Sequence, residues 1–402
     1  MKIKTMANAK NITGAKVLMR VDFNVPIKDA KVKDDFKIRQ SLADIRYLLG
    51  RSATVVLATH LGEPEGRRLA YSTRPLAEHL SKLLKQPVEF MDLKSNDSFA
   101  KARKKIFAAK PGSIFMLENL RFFPGEAKND FRFAKRLSSL ADIYVNNAFA
   151  VCHRKAASVS YIKKYLKSYA GWLLAEEVEH LQKALRPIRP LVLVLGGAKI
   201  ATKMPLIKNL YRRADQILVG GALANDFLAA QGYPVGKSLL DKDGVKIAKW
   251  LLAKTKRRSR PEIVFPVDVI TSENWQEKNK KKVSVGLKMA TQVGKSEYIG
   301  DIGPQTISSF AAYIKKAQTI IWNGPLGRFE DDHFRQGTII VARLIASRSR
   351  GRAYGLAGGG ETVQALHESK MGQYMDWVST GGGAMLAYLS GEKLPGLKGI
   401  VK

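Results

Sequence analysis

The chain has 402 residues, 45% of them hydrophobic and 26% charged, a balance that suits a soluble globular protein with material for two domains. Its 68 lysines and arginines against 35 acids give a formal net charge of +33, which favours anionic partners. No apolar run reaches the roughly 18 residues needed to span a bilayer, residues 1–10 lack the apolar stretch of a secretory signal, and the single cysteine, Cys152, excludes an intramolecular disulfide; a cytoplasmic location follows by default.

Short β-branched apolar runs alternate with amphipathic stretches, the pattern of βαβ units in an α/β chain with parallel sheets flanked by helices. Strands are predicted at 16–21, 54–59, 113–117 and 143–146, then at 191–195, 216–219, 263–265, 319–322 and 352–356. Ile38, Leu42, Ile45 and Leu49 mark one face of a helix opened by Asp34 and Asp35; Ala77, Leu80, Leu83 and Leu84 mark another. Residues 175–185 form a further helix, ended by the prolines of Arg186-Pro187-Ile188-Arg189-Pro190, which start an extended segment. The domains are therefore drawn as 1–174, a hinge helix and linker at 175–190, and 191–387.

The residues that follow the predicted strands carry the chemistry. In the first half Asp22 and Asn24 follow the first strand, His60 the second, Arg121 the third, and His153-Arg154 the fourth. Polar residues at the carboxyl ends of parallel strands converge on one crevice, and a histidine among arginines suits a phosphate or carboxylate. Each alone reads as a surface charge or a cap; their shared placement is the signal. In the second half Gly196-Gly197-Ala198-Lys199 follows a strand, and so do Gly358-Gly359-Gly360-Glu361-Thr362 and Ser379-Thr380-Gly381-Gly382-Gly383. Three such glycine clusters favour backbone amides approaching an anion over simple turns, although none matches the Walker or dinucleotide pattern. Lys199 and Lys203, four apart, would share a helical face and reach one polyphosphate. Cys152 next to His153 reads as a bystander, since neighbours in sequence rarely form a nucleophile–base pair. The basic groups at 101–105, 254–260, 278–282 and 348–352 are not interleaved with aromatics. They read as solvated surface with weak, nonspecific nucleic-acid binding at low salt.

Eleven segments together resemble the phosphoglycerate kinase family, in order and over nearly the whole chain: 20–26, His60-Leu61-Gly62, 117–126 (LENLRFFPGE), 144–149, 196–199, 236–240 (GKSLL), Pro266-Val267-Asp268, 301–304, Trp322-Asn323-Gly324-Pro325, 358–360 and 379–383. The resemblance implies two Rossmann-like domains on a hinge helix, with residues from about 388 to 402 packed back on the first domain. It implies phosphoryl transfer between ATP and 3-phosphoglycerate, giving ADP and 1,3-bisphosphoglycerate, with Mg2+ on the nucleotide and the enzyme acting as a monomer. Carried over, Asp22, Asn24, Lys37, His60, Arg121 and Arg154 hold the phosphoglycerate. Lys199 neutralises the transferring group, with Arg121, Gly359 and Gly382 completing the catalytic set. Gly197, Ala198, Lys203, Gly220, Asn323, Pro325, Glu330, Gly360, Glu361 and Thr362 line the nucleotide, and Glu361 offers the metal an oxygen although phosphates hold it in the main.

This sequence departs from the family at several of these places. Lysine stands at 37 and glutamate at 63 where the family has arginines, threonine at 202 and asparagine at 147 where aspartates are common, and glutamate at 361 for an aspartate. Arg39 lies about 200° around a helix from Lys37 and points away, and the Glu63 carboxylate beside a trianionic substrate should repel it unless Arg67 or Arg68 fills the gap. Two other readings follow from the departures: a catalytically impaired member acting as a basic nucleic-acid-binding protein, and a related acyl-phosphate kinase acting on another small acid.

Overall fold

Leu191–Leu195 reads LVLVL and is buried along its whole length, and Thr54–Ala58 likewise. Continuous apolar runs of this kind belong to strands covered on both faces. The computed structural model describes residues 3–256, 261–277 and 280–401; residues 257–260 and 278–279 of the basic groups lie outside them. The chain divides into two units, Met1–Glu179 with Lys393–Lys402, and His180–Glu392.

The first unit holds a six-stranded parallel sheet in the order Val88–Met91, Ile114–Leu117, Thr54–Ala58, Lys16–Arg20, Ile143–Asn146, Lys167–Ala170. Alternation sorts its side chains: Val17, Met19, Val55 and Leu57 enter one core, and Leu18, Val56 and Ala58 the core on the opposite face. The second unit repeats the architecture in the order Glu262–Val264, Gln216–Val219, Leu191–Leu195, Thr319–Asn323, Tyr354–Gly358, Trp377–Ser379, again parallel. In each sheet the first strand has neighbours added on one side and then on the other. The reversal opens a crevice beyond the carboxyl ends of the central strands.

Several expectations are corrected. The helix over Ile38 to Leu49 is two, Phe36–Gln40 and Leu42–Gly50, broken at Ser41. The last predicted strand starts two residues later, at Tyr354. Val88–Met91, Lys167–Ala170 and Trp377–Ser379 are edge strands without a strong apolar pattern, and Asp268–Ser272, Gly286–Met289 and Tyr298–Ile302 form a separate antiparallel sheet. The helix before the prolines runs Trp172–Leu185, so its start lies three residues earlier than drawn, and the division between units falls inside it.

The returning segment begins at Lys393 rather than 388. Tyr388 and Leu389 are buried in the helix Gly383–Leu389, and the Leu389 carbonyl accepts from Asn209 Nδ2 at 2.7 Å, which keeps them with the second unit. Beyond them the chain is tied into the first unit. The Ile400 carbonyl accepts from Lys4 N at 2.9 Å, Ile3 bridges Val401, the Cys152 carbonyl accepts from Gly396 N at 2.8 Å, and Lys163 Nζ donates to the carbonyls of Pro395 and Lys398. Among the described residues no helix is long and apolar enough to cross a membrane.

Candidate active site

In the first unit the crevice is built around a buried arginine. Arg20 ends the central strand, and its side chain donates from Nε to Ser158 Oγ (3.1 Å), from Nη1 to the Val21 carbonyl (2.5 Å) and from Nη2 to His60 Nδ1 (3.1 Å). A guanidinium can only donate, so Nδ1 accepts and the imidazole proton sits on Nε2. Burial, reinforced by Arg20, Arg121, Lys37 and Arg154, holds His60 well below the ordinary histidine range. The ring is thus a neutral donor among cations, a setting suited to an anion.

The neighbouring loops are cross-linked by polar side chains. Lys37 Nζ lies 2.8 Å from Asp22 Oδ2, and Asn24 Oδ1 accepts from Gly62 N at 2.9 Å. Arg121 donates to the Gly62 carbonyl, while Asn119 donates to the carbonyls of Leu61 and Tyr71 and accepts from Arg121 N. Glu118, buried beside it, accepts from Ser72 Oγ, Thr73 N and Asn119 N. The conspicuous LENLRF segment therefore fixes the backbone that carries Arg121. Asp22, Asn24, Lys37, His60, Arg121 and Arg154 fall in one connected neighbourhood; Arg20, Glu118, Asn119 and Ser158, not singled out from the sequence, support it.

In the second unit the ends of Leu191–Leu195 and Thr319–Asn323 are sewn together. Gly196 N donates to the Asn323 carbonyl (3.0 Å), Gly197 N to the Pro325 carbonyl (3.0 Å) and Gly221 N to the Leu326 carbonyl (2.7 Å). Thr362 Oγ1 accepts from Gly324 N at 2.7 Å, and Asn323 Nδ2 donates to the Gly358 carbonyl at 2.6 Å. Lys203 donates to Asn323 Oδ1, and burial lowers its ammonium from the usual range, with Glu361 opposing.

The glycines divide into two kinds. A Cβ on Gly196 would meet the Pro325 carbonyl oxygen at 2.0 Å, one on Gly220 would meet Leu326 at 2.6 Å, and one on Gly359 would meet Asn323 Nδ2 at 2.7 Å. Those three are demanded by close packing. A Cβ on Gly197, Gly360 or Gly382 would meet no described atom within 4 Å, but Gly197 (φ 93°) and Gly382 (φ 50°) hold left-handed backbone that favours glycine. At Gly360 neither packing nor backbone demands glycine, and its amide at the start of a helix can receive an anion.

Other site residues differ from expectation in setting. Lys199 has extended backbone (φ −132°, ψ 121°) and Lys203 precedes the helix Met204–Leu210. The two lysines therefore do not share a helical face, because the segment between them is a single turn of 3-10 helix, Ile200–Thr202. Ala198 and Lys199 are exposed, as is Glu330, whose carboxylate pairs with Arg328 Nε at 3.1 Å. Glu361 is exposed in the first turn of the helix Gly360–Glu368. Among the described residues no group of three or more acidic, histidine or cysteine side chains could hold a metal. One carboxylate of this kind fits a metal carried by phosphates.

At the departures, Arg39 Nε pairs with Asp35 (2.7 Å) rather than turning to Asp22. Arg67 is engaged by Asp92 and the buried Glu118, so it does not stand in at 63. Asn147 Oδ1 accepts from Leu174 N at 3.3 Å, and Thr202 Oγ1 donates to the Lys199 carbonyl at 2.8 Å. Cys152 is fully buried, which pushes its thiol up to about 12 and leaves it inert.

A model of the family described as phosphoglycerate kinase matches residues 6–392. A protein named phosphoglycerate kinase from Pelotomaculum thermopropionicum is 39% identical over 397 residues, covering 97% of each chain. The solved structure of phosphoglycerate kinase from Coxiella burnetii superposes with a TM-score of 0.86 at 38% identity, covering 99% of this chain and 98% of that one. That of Phosphoglycerate Kinase from Pyrococcus horikoshii gives 0.80 at 32% identity, with 98% of each covered.

Proposed function

Since the chain belongs to the phosphoglycerate kinase family, we propose that it catalyses reversible phosphoryl transfer between ATP and 3-phosphoglycerate, giving ADP and 1,3-bisphosphoglycerate. The observation that carries this reading is that the family match spans both units, with a cation-rich crevice in one and anion-ready glycine loops in the other. A carboxylate oxygen of the acid attacks the terminal phosphorus of ATP while the bond to the β-phosphate oxygen breaks. The protein contributes placement and charge rather than a nucleophile.

Arg121, Arg154 and Lys37 neutralise the acid and its phosphate. His60 donates from Nε2, Asn24 positions the Gly62 turn, and Asp22 orients Lys37. Lys199 and Lys203 balance charge on the transferring group and the nucleotide phosphates, while the amides around Gly197, Gly359, Gly360 and Gly382 receive phosphate oxygens. Ala198, Gly220, Asn323, Pro325 and Thr362 shape the nucleotide loop, and Glu330 meets the ribose. Glu361 would offer one oxygen to Mg2+ carried on the nucleotide, which would supply charge neutralisation at the phosphates. Exclusion of water from the reacting groups protects the acyl phosphate from hydrolysis. The enzyme works as a cytoplasmic monomer, and its charge of +33 gives no more than weak, salt-sensitive nucleic-acid binding.

The test is a coupled assay with 3-phosphoglycerate, ATP and Mg2+, run beside Lys199→Ala. Turnover that falls at least ~100-fold in the variant is expected for loss of a preorganised charge at the reacting group. Absence of turnover in folded wild-type protein at high substrate overturns the proposal.

A further inference from the structure

Glu63 lies one residue beyond the Gly62 turn, on the rim of the cation-rich crevice. Its Oε1 is 3.0 Å from Arg121 Nη1 and 3.1 Å from Arg154 Nη2, so one carboxylate oxygen is shared by two guanidinium groups. The three side chains differ in freedom: Glu63 is 71% exposed, Arg154 50% and Arg121 only 16%. Arg121 does not depend on Glu63 for its place, because it also donates to the Gly62 carbonyl and its own backbone is held by Asn119. The glutamate is the most exposed member of the cluster and bridges the two cations.

We propose that Glu63 is a built-in competitor for the phosphoglycerate site: its carboxylate occupies the Arg121–Arg154 pair in the free protein and must yield that pair to the incoming anion. The inference rests on the function proposed above, which gives those two arginines to the substrate. The arginines also hold the Glu63 carboxyl below its ordinary range, so it is charged at every pH where the enzyme would work. Exposed ion pairs are weak, so a multiply charged phosphate ester displaces Glu63 without difficulty. It does so at a cost in affinity, and the displaced carboxylate stays close enough to repel the ligand until salt screens it. Glu63 therefore sets how tightly the acid is held and ties that affinity to ionic strength.

A rival role is possible for the same contacts: Glu63 could brace Arg154 in the geometry that the substrate needs. The two roles predict opposite signs. Calorimetric titration of 3-phosphoglycerate into full-length wild type and Glu63→Gln, at low and at high salt, separates them. Glutamine keeps the length and removes the charge, and at this exposure its thermal midpoint should match wild type. A three- to tenfold lower Kd for the variant at low salt, shrinking toward unity at high salt, with KM for the acid falling in step, is the expected result. Equal or weaker binding by the variant, while wild type binds, overturns the competitor role and leaves the proposed activity standing. No binding by either protein overturns the substrate assignment, and this inference with it.

Discussion

Replacing Arg20 by lysine keeps the charge and removes the fork, and the structure gives the cost. Arg20 is almost fully buried and donates to Ser158 Oγ, the Val21 carbonyl and His60 Nδ1 from three different nitrogens. An ammonium on a shorter reach can keep one of these, leaving two charge-assisted bonds unmade among buried acceptors. At roughly 1.5–3 kcal/mol each, less what lysine recovers by relaxing toward the buried Glu126, the net loss is about 3 kcal/mol. The chain has two units, so a single global unfolding curve is a poor gauge. Hydrogen exchange over Lys16–Arg20 and Thr54–Ala58 reads the local stability instead, and 3 kcal/mol corresponds to exchange faster by roughly 100-fold. The nitrogen spectrum of His60 supplies a second readout, since loss of the Arg20 Nη2 donor to Nδ1 removes the bond that fixes the imidazole proton on Nε2. Exchange accelerated less than about fivefold, with an unchanged His60 tautomer, would refute the claim that Arg20 organises the crevice.

Gly196→Ala should cost about 2–3 kcal/mol or more, because the added carbon meets a backbone oxygen at 2.0 Å. Gly360→Ala should leave the thermal midpoint level or slightly raised, as alanine favours a helix start with open space around it, while KM for ATP rises; a normal KM for ATP would remove Gly360 from the nucleotide site. Lys37→Arg, adding a second donor beside Asp22, should tighten 3-phosphoglycerate by roughly fivefold, worth ~1 kcal/mol; titration calorimetry checks it. Burial raises Asp301 to about 7, opposed by the amides of Gly337 and Ile302. The native state then holds an extra proton between about pH 4 and 7, so the stability due to Asp301 is full below about 4 and is lost as pH rises through 7. Its span is about 4 kcal/mol. Asp301→Asn should flatten that part of the stability–pH curve, and an identical slope in the variant would count against it.

What could be read from the sequence follows burial. Leu191–Leu195 and Ile143–Asn146 are central strands, and their apolar runs match the observed bounds. Lys167–Ala170 and Trp377–Ser379 lie at sheet edges, where one neighbour is enough and the pattern fades to KSYA and WVS. The break at Ser41 was hidden because Ile38, Leu42 and Ile45 remain buried on both sides of it. At the site, strand ends pointed to Asp22, His60 and Arg121, since in a parallel sheet position after a strand is position at the crevice, whereas Asn323 came from the family resemblance alone. Spacing misled for Lys199 and Lys203, where four residues span a turn of 3-10 helix and not a helical face. Nothing in the residue types revealed that Glu63 would join Arg121 to Arg154, because that contact links loops 58 and 91 positions apart in the chain.

The segment 393–401 closes the first unit, with Leu394, Leu397 and Ile400 buried against it. During synthesis the second unit is therefore complete on the ribosome before the first has its final piece. The amino-terminal half must wait, with the seat of Gly396 against Cys152 unfilled, through the making of some two hundred residues that belong elsewhere. A stalled or clipped chain lacking only this segment would carry a complete second unit and an unfinished first one, its core short of Leu394, Leu397 and Ile400.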